Sequence, residues 1–222
     1  MMPMLAATLL TVPAAIQPAD PLADAWLVQV KPGAKLYFFD DVEGAKPRPS
    51  RAYVVAGDML VASGTSGGFT SVTFVTPTGR TRGGWLDSAG LVRIAAGKNW
   101  QGVWKAWESE IEVAPGRIRG TLHIEGSATW GAHDPQRVAI GGVHVGEFAV
   151  DAQGSGDRIA FSVDEGAESG TMARGFDDAP EETYRCRVQL RLLGPYLLAR
   201  DNGVCGGANV SFTGTYRLSG RR

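Results

Sequence analysis

Apolar and polar side chains alternate with a period of two through much of this chain, and turns rich in glycine or proline interrupt the alternation. Val188, Leu190 and Leu192 alternate with Arg187, Gln189 and Arg191, and Ile159, Phe161 and Val163 alternate with Arg158, Ala160 and Ser162. Val210, Phe212 and Tyr216 stand against Ser211, Thr213 and Arg217. Ile118, Leu122 and Ile124 stand against Arg117, Arg119, His123 and Glu125. A period of two puts one set of side chains on each face of an extended strand, so these segments read as half-buried strands of an antiparallel sheet. With 103–113, 137–140, 143–150 and 197–200 they predict about eight strands between residues 98 and 218, enough for an up-and-down barrel or a strongly curved sheet. The stretch 164–182 is acidic and contains Gly166, Gly170 and Gly175, which predicts a long, mobile loop.

Shorter apolar runs precede this region, at 26–30, 35–39, 52–55, 59–63, 69–76, 82–86 and 91–94. Lys31-Pro32-Gly33, two prolines between 43 and 50, Gly67-Gly68 and Pro77-Thr78-Gly79 separate them as turns. So many short strands in about 70 residues predict a small barrel over 26–97. The expected fold class is therefore all-β: a small barrel, then a roughly eight-stranded antiparallel barrel or curved sheet. The 222 residues and 44% hydrophobic content suffice to fill two such cores.

The run Ala52-Tyr53-Val54-Val55-Ala56-Gly57-Asp58-Met59-Leu60-Val61, the strand Phe69-Thr70-Ser71-Val72-Thr73-Phe74, and Gly83-Gly84-Trp85-Leu86 before Leu91 resemble the bacterial SH3-like domain. The resemblance covers about a third of the chain. It implies an SH3-like barrel, a module found in envelope proteins and associated with wall binding, and it carries over no fixed set of ligand residues. At the other end, Cys205-Gly206-Gly207 and Phe212-Thr213-Gly214-Thr215-Tyr216 resemble the terminal motif of exported bacterial proteins without an assigned activity.

The N-terminus is apolar from Pro3 to Ala15, long enough for a signal-peptide core and too short to span a bilayer. Val12-Pro13-Ala14 offers small residues for cleavage after Ala14 or Ala15, although a basic n-region is missing. The expected organisation is a signal peptide over 1–15, a linker over 16–25, the SH3-like domain over 26–97, the barrel-like domain over 98–218 and a disordered tail over 219–222. Export makes a bridge the natural state of the two cysteines, Cys186 and Cys205. A hairpin turning at Pro195-Tyr196 places them opposite each other, and the closed loop stabilises by roughly 3 kcal/mol on the chain-entropy model.

A net charge of −1 gives no field to gather nucleic acid, and no later segment is apolar enough to span a membrane. From Trp26 to Gly97, eight basic residues face five acidic ones, a balance of +3 that suits an anionic polymer as well as ordinary surface. Catalytic signatures are missing. The histidines His123, His133 and His144 lack metal-ligand spacing, no GxSxG elbow occurs, and Gly64-Thr65-Ser66-Gly67-Gly68 lacks the lysine of a phosphate loop. Glu108, Glu110 and Glu112 would share one strand face, which reads as solvated surface before it reads as acid–base machinery. No cofactor and no enzyme activity is expected.

Aromatic residues are the remaining candidates. Trp100, Trp104 and Trp107 crowd the entry to the second domain. Trp104 and Trp107 fall on opposite strand faces, so at most one of these two lines the core, and the other covers the barrel end, packs on the first domain or stacks on a sugar. Tyr37, Tyr53 and Trp85 would line the groove of the small barrel, with Trp85 as core an equal alternative. The expected function is a non-catalytic exported envelope protein that binds cell-wall polymer through Tyr37, Tyr53 and Trp85. The alternative is an inhibitor or partner of another exported protein, such as a lysozyme.

Overall fold

A computed structural model describes residue 22 and residues 24–42, 47–164, 171–176 and 185–219. The expected leader lies outside them, as do most of the expected linker and most of the tail; Ser219 closes the last strand. The architecture is all-β. The first sheet comprises β1 (Trp26–Val30), β2 (Lys35–Phe39), β3 (Pro49–Val55), β4 (Met59–Ser66), β5 (Phe69–Val75), β6 (Thr81–Asp87) and β7 (Leu91–Arg93). They are antiparallel in the order β3-β2-β6-β5-β4-β1-β7. A single 3₁₀ turn, Ser88–Gly90, joins β6 to β7 and is capped by the Asp87 carboxylate. Val28, Val30, Phe38, Val54, Leu60, Val72 and Leu86 point inward and form this sheet's core.

The second sheet is a nearly closed barrel. It contains β8 (Gly102–Lys105), β9 (Ser109–Pro115), β10 (Leu122–Trp130), β11 (His144–Ala152), β12 (Arg158–Val163), β13 (Cys186–Leu193), β14 (Tyr196–Asp201) and β15 (Gly214–Ser219). The order is β11-β10-β9-β8-β15-β14-β13-β12, which leaves a seam between β11 and β12. Residues 171–175 lie in that seam. Met172 bridges in parallel to Asp151 of β11, and Arg174 bridges antiparallel to Ser162 of β12. The middle of the acidic stretch expected to be a loop therefore covers two strand edges that would otherwise be open; its flanks lie outside the described residues.

The barrel is filled by its own side chains. Trp104, Ile111, Ile124, Phe161, Phe212 and Tyr216 are fully buried, each worth about 1.5–3 kcal/mol in burial alone. Their polar atoms are paired: Trp104 Nε1–H donates to the Trp100 carbonyl at 3.0 Å, and the Tyr216 hydroxyl donates to the Phe212 carbonyl at 2.7 Å while accepting from Ser109 at 2.8 Å. Burial pushes the Tyr216 phenol well above its usual range, so it stays a donor.

Three expectations change here. The run 103–113 is not one strand. The Ala106 N–H donates to the Ser109 carbonyl at 2.8 Å and makes a tight turn, so Glu108 leaves the face shared by Glu110 and Glu112. Residues 137–140 are not a strand; Pro135–Ala139 form a short helix, α1, whose first turn is capped by the Asp134 carboxylate at 2.9 Å from the Gln136 N–H. Residues 118–120 precede β10 in a turn, leaving Ile118 exposed.

The Cys186–Cys205 disulfide is present, by a route different from the expected register. The hairpin turns at Gly194-Pro195, with Leu193 opposite Tyr196. In that register Cys186 faces a position beyond the end of β14 at Asp201. Cys205 reaches it because the chain leaves the sheet after Asp201 and crosses the barrel end, where Val210 and Phe212 are buried as a plug.

A third buried cluster joins the two sheets. Leu22, Ala25, Leu27, Val61 and Val75 pack against Leu193, Tyr196 and Leu198. The Tyr196 hydroxyl, its pKa pushed up to about 12 by burial, donates to the Met59 carbonyl, and Arg217 donates to the Val75 carbonyl at 2.9 Å. Arg158 and Arg191 both donate to the Leu22 carbonyl, fixing the end of the expected linker to the barrel.

Candidate functional site

The outward face of the first sheet is divided. On β1, β4 and one end of β5 it carries Leu27, Val61 and Val75, which the barrel covers. On β3, β2, β6 and the other end of β5 it carries a row of aromatic rings. Alternation explains the row. Phe38 points into the core, so Lys35, Tyr37 and Phe39 on β2 point out; Val54 points in, so Tyr53 points out.

Tyr37 lies opposite Tyr53 in the β2–β3 register, with ring centroids 5.9 Å apart and planes tilted by 60°. The two are 42% and 52% exposed. The Lys35 Nζ sits 3.9 Å from the Tyr53 ring centre and 5.2 Å from that of Tyr37. Phe39 lies opposite Trp85 of β6, and its ring meets Phe69 edge-on at 5.0 Å. The structure thus brings Tyr37 and Tyr53 together and sets Trp85, half-buried, on the same face beyond Phe39. Phe39 and Phe69 belong to the row and were not singled out in the sequence. Their signal was spacing: Phe39 follows Tyr37 by two, and Phe38 beside it obscured the alternation.

Nearby carboxylates are engaged elsewhere. Asp40 pairs with Arg82, Asp58 accepts from the Val55 N–H at 2.8 Å, and Asp87 accepts from the Ala89 N–H at 2.9 Å. Lys35 and the exposed Arg51 are the cations of the described parts of β2 and β3.

The other aromatic candidates are internally occupied. Trp104 is core. Trp107 is sandwiched between the Arg80 guanidinium, 3.4 Å from its ring centre, and the His133 ring, stacked at 3.9 Å. Trp130 is flanked by Arg137 at 3.8 Å and His144 at 5.2 Å. Trp100 is buried, its Nε1–H donating to the Gly156 carbonyl at 3.3 Å.

His123 sits outside the barrel between two carboxylates, with Nδ1 2.6 Å from Asp151 and Nε2 2.9 Å from Glu125. The hydrogen bond to Glu125 raises its pKa above 6.5, burial pulls it back, and Asp151 raises it further. Burial pushes Asp151 up, but the hydrogen bonds from His123 and the Arg117 N–H outweigh it and hold the carboxyl below 3.8. Both imidazole nitrogens are taken, so the arrangement is a clamp that holds the ring between two carboxylates. Among the described residues no group of three or more His, Cys, Asp or Glu side chains could hold a metal ion, and no helix is long and apolar enough to cross a membrane.

Comparison with family models, with curated proteins and with solved structures finds no match to this chain.

Proposed function

We propose that this protein is a non-catalytic, exported envelope module that binds cell-wall polymer on the aromatic face of its first sheet. The observation that carries the reading is the exposed Tyr37–Tyr53 pair with Lys35 laid across it. Large rigid rings lose little entropy on binding, and a row of them left uncovered costs solvation unless a ligand uses it. The resemblance of 52–91 to SH3-like domains supports the same assignment. The disulfide is compatible with an oxidising compartment, and the filled barrel serves in this reading as the rigid base on which the face is mounted.

The test is sedimentation of the full chain with purified peptidoglycan. Tyr37→Ala and Tyr53→Ala, folded by circular dichroism, should each weaken binding about fivefold or more, as loss of a central aromatic contact does. Sedimentation unchanged by both substitutions removes the aromatic face from the reading. No sedimentation at all transfers the assignment to a protein partner.

A further inference from the structure

Resting on the reading above, we infer that the aromatic face selects an acidic sugar, with the pyranose ring against Tyr37 and Tyr53 and its carboxylate on Lys35. The row crosses the sheet from β3 through β2 and β6 to β5, three inter-strand spacings or about 14 Å. An extended peptide added to a sheet is read along one strand edge by main-chain hydrogen bonds. Here the contacts are side-chain faces running across strands, which suits a chain of flat-faced rings.

Lys35 supplies the selectivity. Its ammonium lies against two ring faces, so water cannot solvate it from that side. Among the described residues no carboxylate is in ion-pair range of it: Asp40 is tied to Arg82, and Asp58 and Asp87 are tied to backbone N–H groups. A ligand carboxylate arriving there gains a charge-assisted hydrogen bond, a neutral sugar gains only the rings, and an amino sugar meets like charge.

Three disaccharides separate these cases, titrated against the full chain at low salt: di-N-acetylglucosamine, N-acetylglucosaminyl-N-acetylmuramic acid and a glucuronic-acid disaccharide. The acidic sugars should bind about fivefold more tightly than the neutral one, the upper worth of one exposed ion pair. Lys35→Gln should abolish that preference, and Lys35→Arg should restore it. Preference for the muramic acid assigns the ligand to wall glycan freed of its stem peptides, where the lactyl carboxylate is not tied up as an amide; preference for the uronic acid assigns it to an acidic exopolysaccharide. Equal affinities, no disaccharide binding, or a preference that survives Lys35→Gln overturns the inference, whatever wall sedimentation gives. An acid preference without wall sedimentation upholds it and overturns the wall reading alone.

Discussion

Gly206 and Gly146 touch backbone to backbone: a Cβ on Gly206 would lie 2.6 Å from the Gly146 Cα, and a Cβ on Gly146 would lie 2.5 Å from the Cys205 carbonyl oxygen. The crossing chain after β14 is thereby pressed onto β11, where the Gly207 N–H donates to the Val145 carbonyl at 3.0 Å. Neither Gly206 nor Gly207 has a positive φ. Close approach, and not turn conformation, is therefore the reason for this Gly-Gly. Gly146→Ala and Gly206→Ala should each destabilise by about 1–3 kcal/mol in urea unfolding, because backbone cannot move aside as a flexible side chain can. Gly64→Ala, at an open position without a positive φ, should stay within about 0.5 kcal/mol.

The disulfide holds the same crossing chain from the other side, tying Cys205 to the first residue of β13. Cys186→Ser with Cys205→Ser should cost about 3 kcal/mol and lower the melting temperature by several degrees. Because both devices position one segment, the loss should not add to that of Gly146→Ala. A double-mutant cycle by calorimetry should give a coupling of at least about 0.5 kcal/mol, and strict additivity would mean that bridge and glycine contact act independently.

The seam of the barrel should be pH-sensitive. The Asp151 backbone accepts from the Ala173 N–H and donates to the Thr171 carbonyl, while its carboxylate accepts from His123 and the Arg117 N–H. His123 has a raised pKa, so its contribution is complete below 6.5 and lost as pH rises through the folded value. Asp151 has a lowered pKa, so its contribution is complete above 3.8 and lost as pH falls through the folded value. Their joint contribution is therefore greatest between about pH 4 and 6.5. Urea midpoints of the parent minus those of His123→Gln, measured from pH 3 to 9, should peak in that window. A flat difference would sink the idea.

The strands were legible where alternation was undisturbed. Trp26–Val30 and Lys35–Phe39 fall where the pattern put them, and Ile159, Phe161, Val188 and Leu190 line the barrel as their period of two requires. Short segments misled. Arg137-Val138-Ala139-Ile140 alternates by accident, and the Asp134-Pro135 helix start was the better signal. Ala106-Trp107-Glu108 turns without Gly, Pro or Asn, so one strand was read where two exist. Val210 and Phe212 are buried as their alternation implied, yet in the plug and not in a strand. Of the candidate site, Tyr37, Tyr53 and Trp85 were named as the aromatic lining of an expected SH3-like groove. Phe39, Phe69 and the Lys35 contact depend on cross-strand register, which a single sequence leaves open.

The junction between the sheets was the least legible feature, because its residues look like defects in the alternation. In β1, Leu27 and Val28 are both buried: Val28 faces its own core and Leu27 faces Leu193, Tyr196 and Leu198. Gly79 completes the contact, since a Cβ there would lie 2.4 Å from the Ala106 backbone. A junction this buried should make the two sheets unfold as one unit. Leu27→Ala should cost about 2–5 kcal/mol, and Tyr196→Phe, which leaves the Met59 carbonyl without its donor, about 1 kcal/mol. Either change should lower hydrogen-exchange protection in β5 and in β14 together. In the parent, urea transitions by far-ultraviolet circular dichroism and by tryptophan fluorescence should coincide. Two separated transitions, or protection lost from the first sheet alone in Leu27→Ala, would show instead that the halves are independent and the junction merely rests them together.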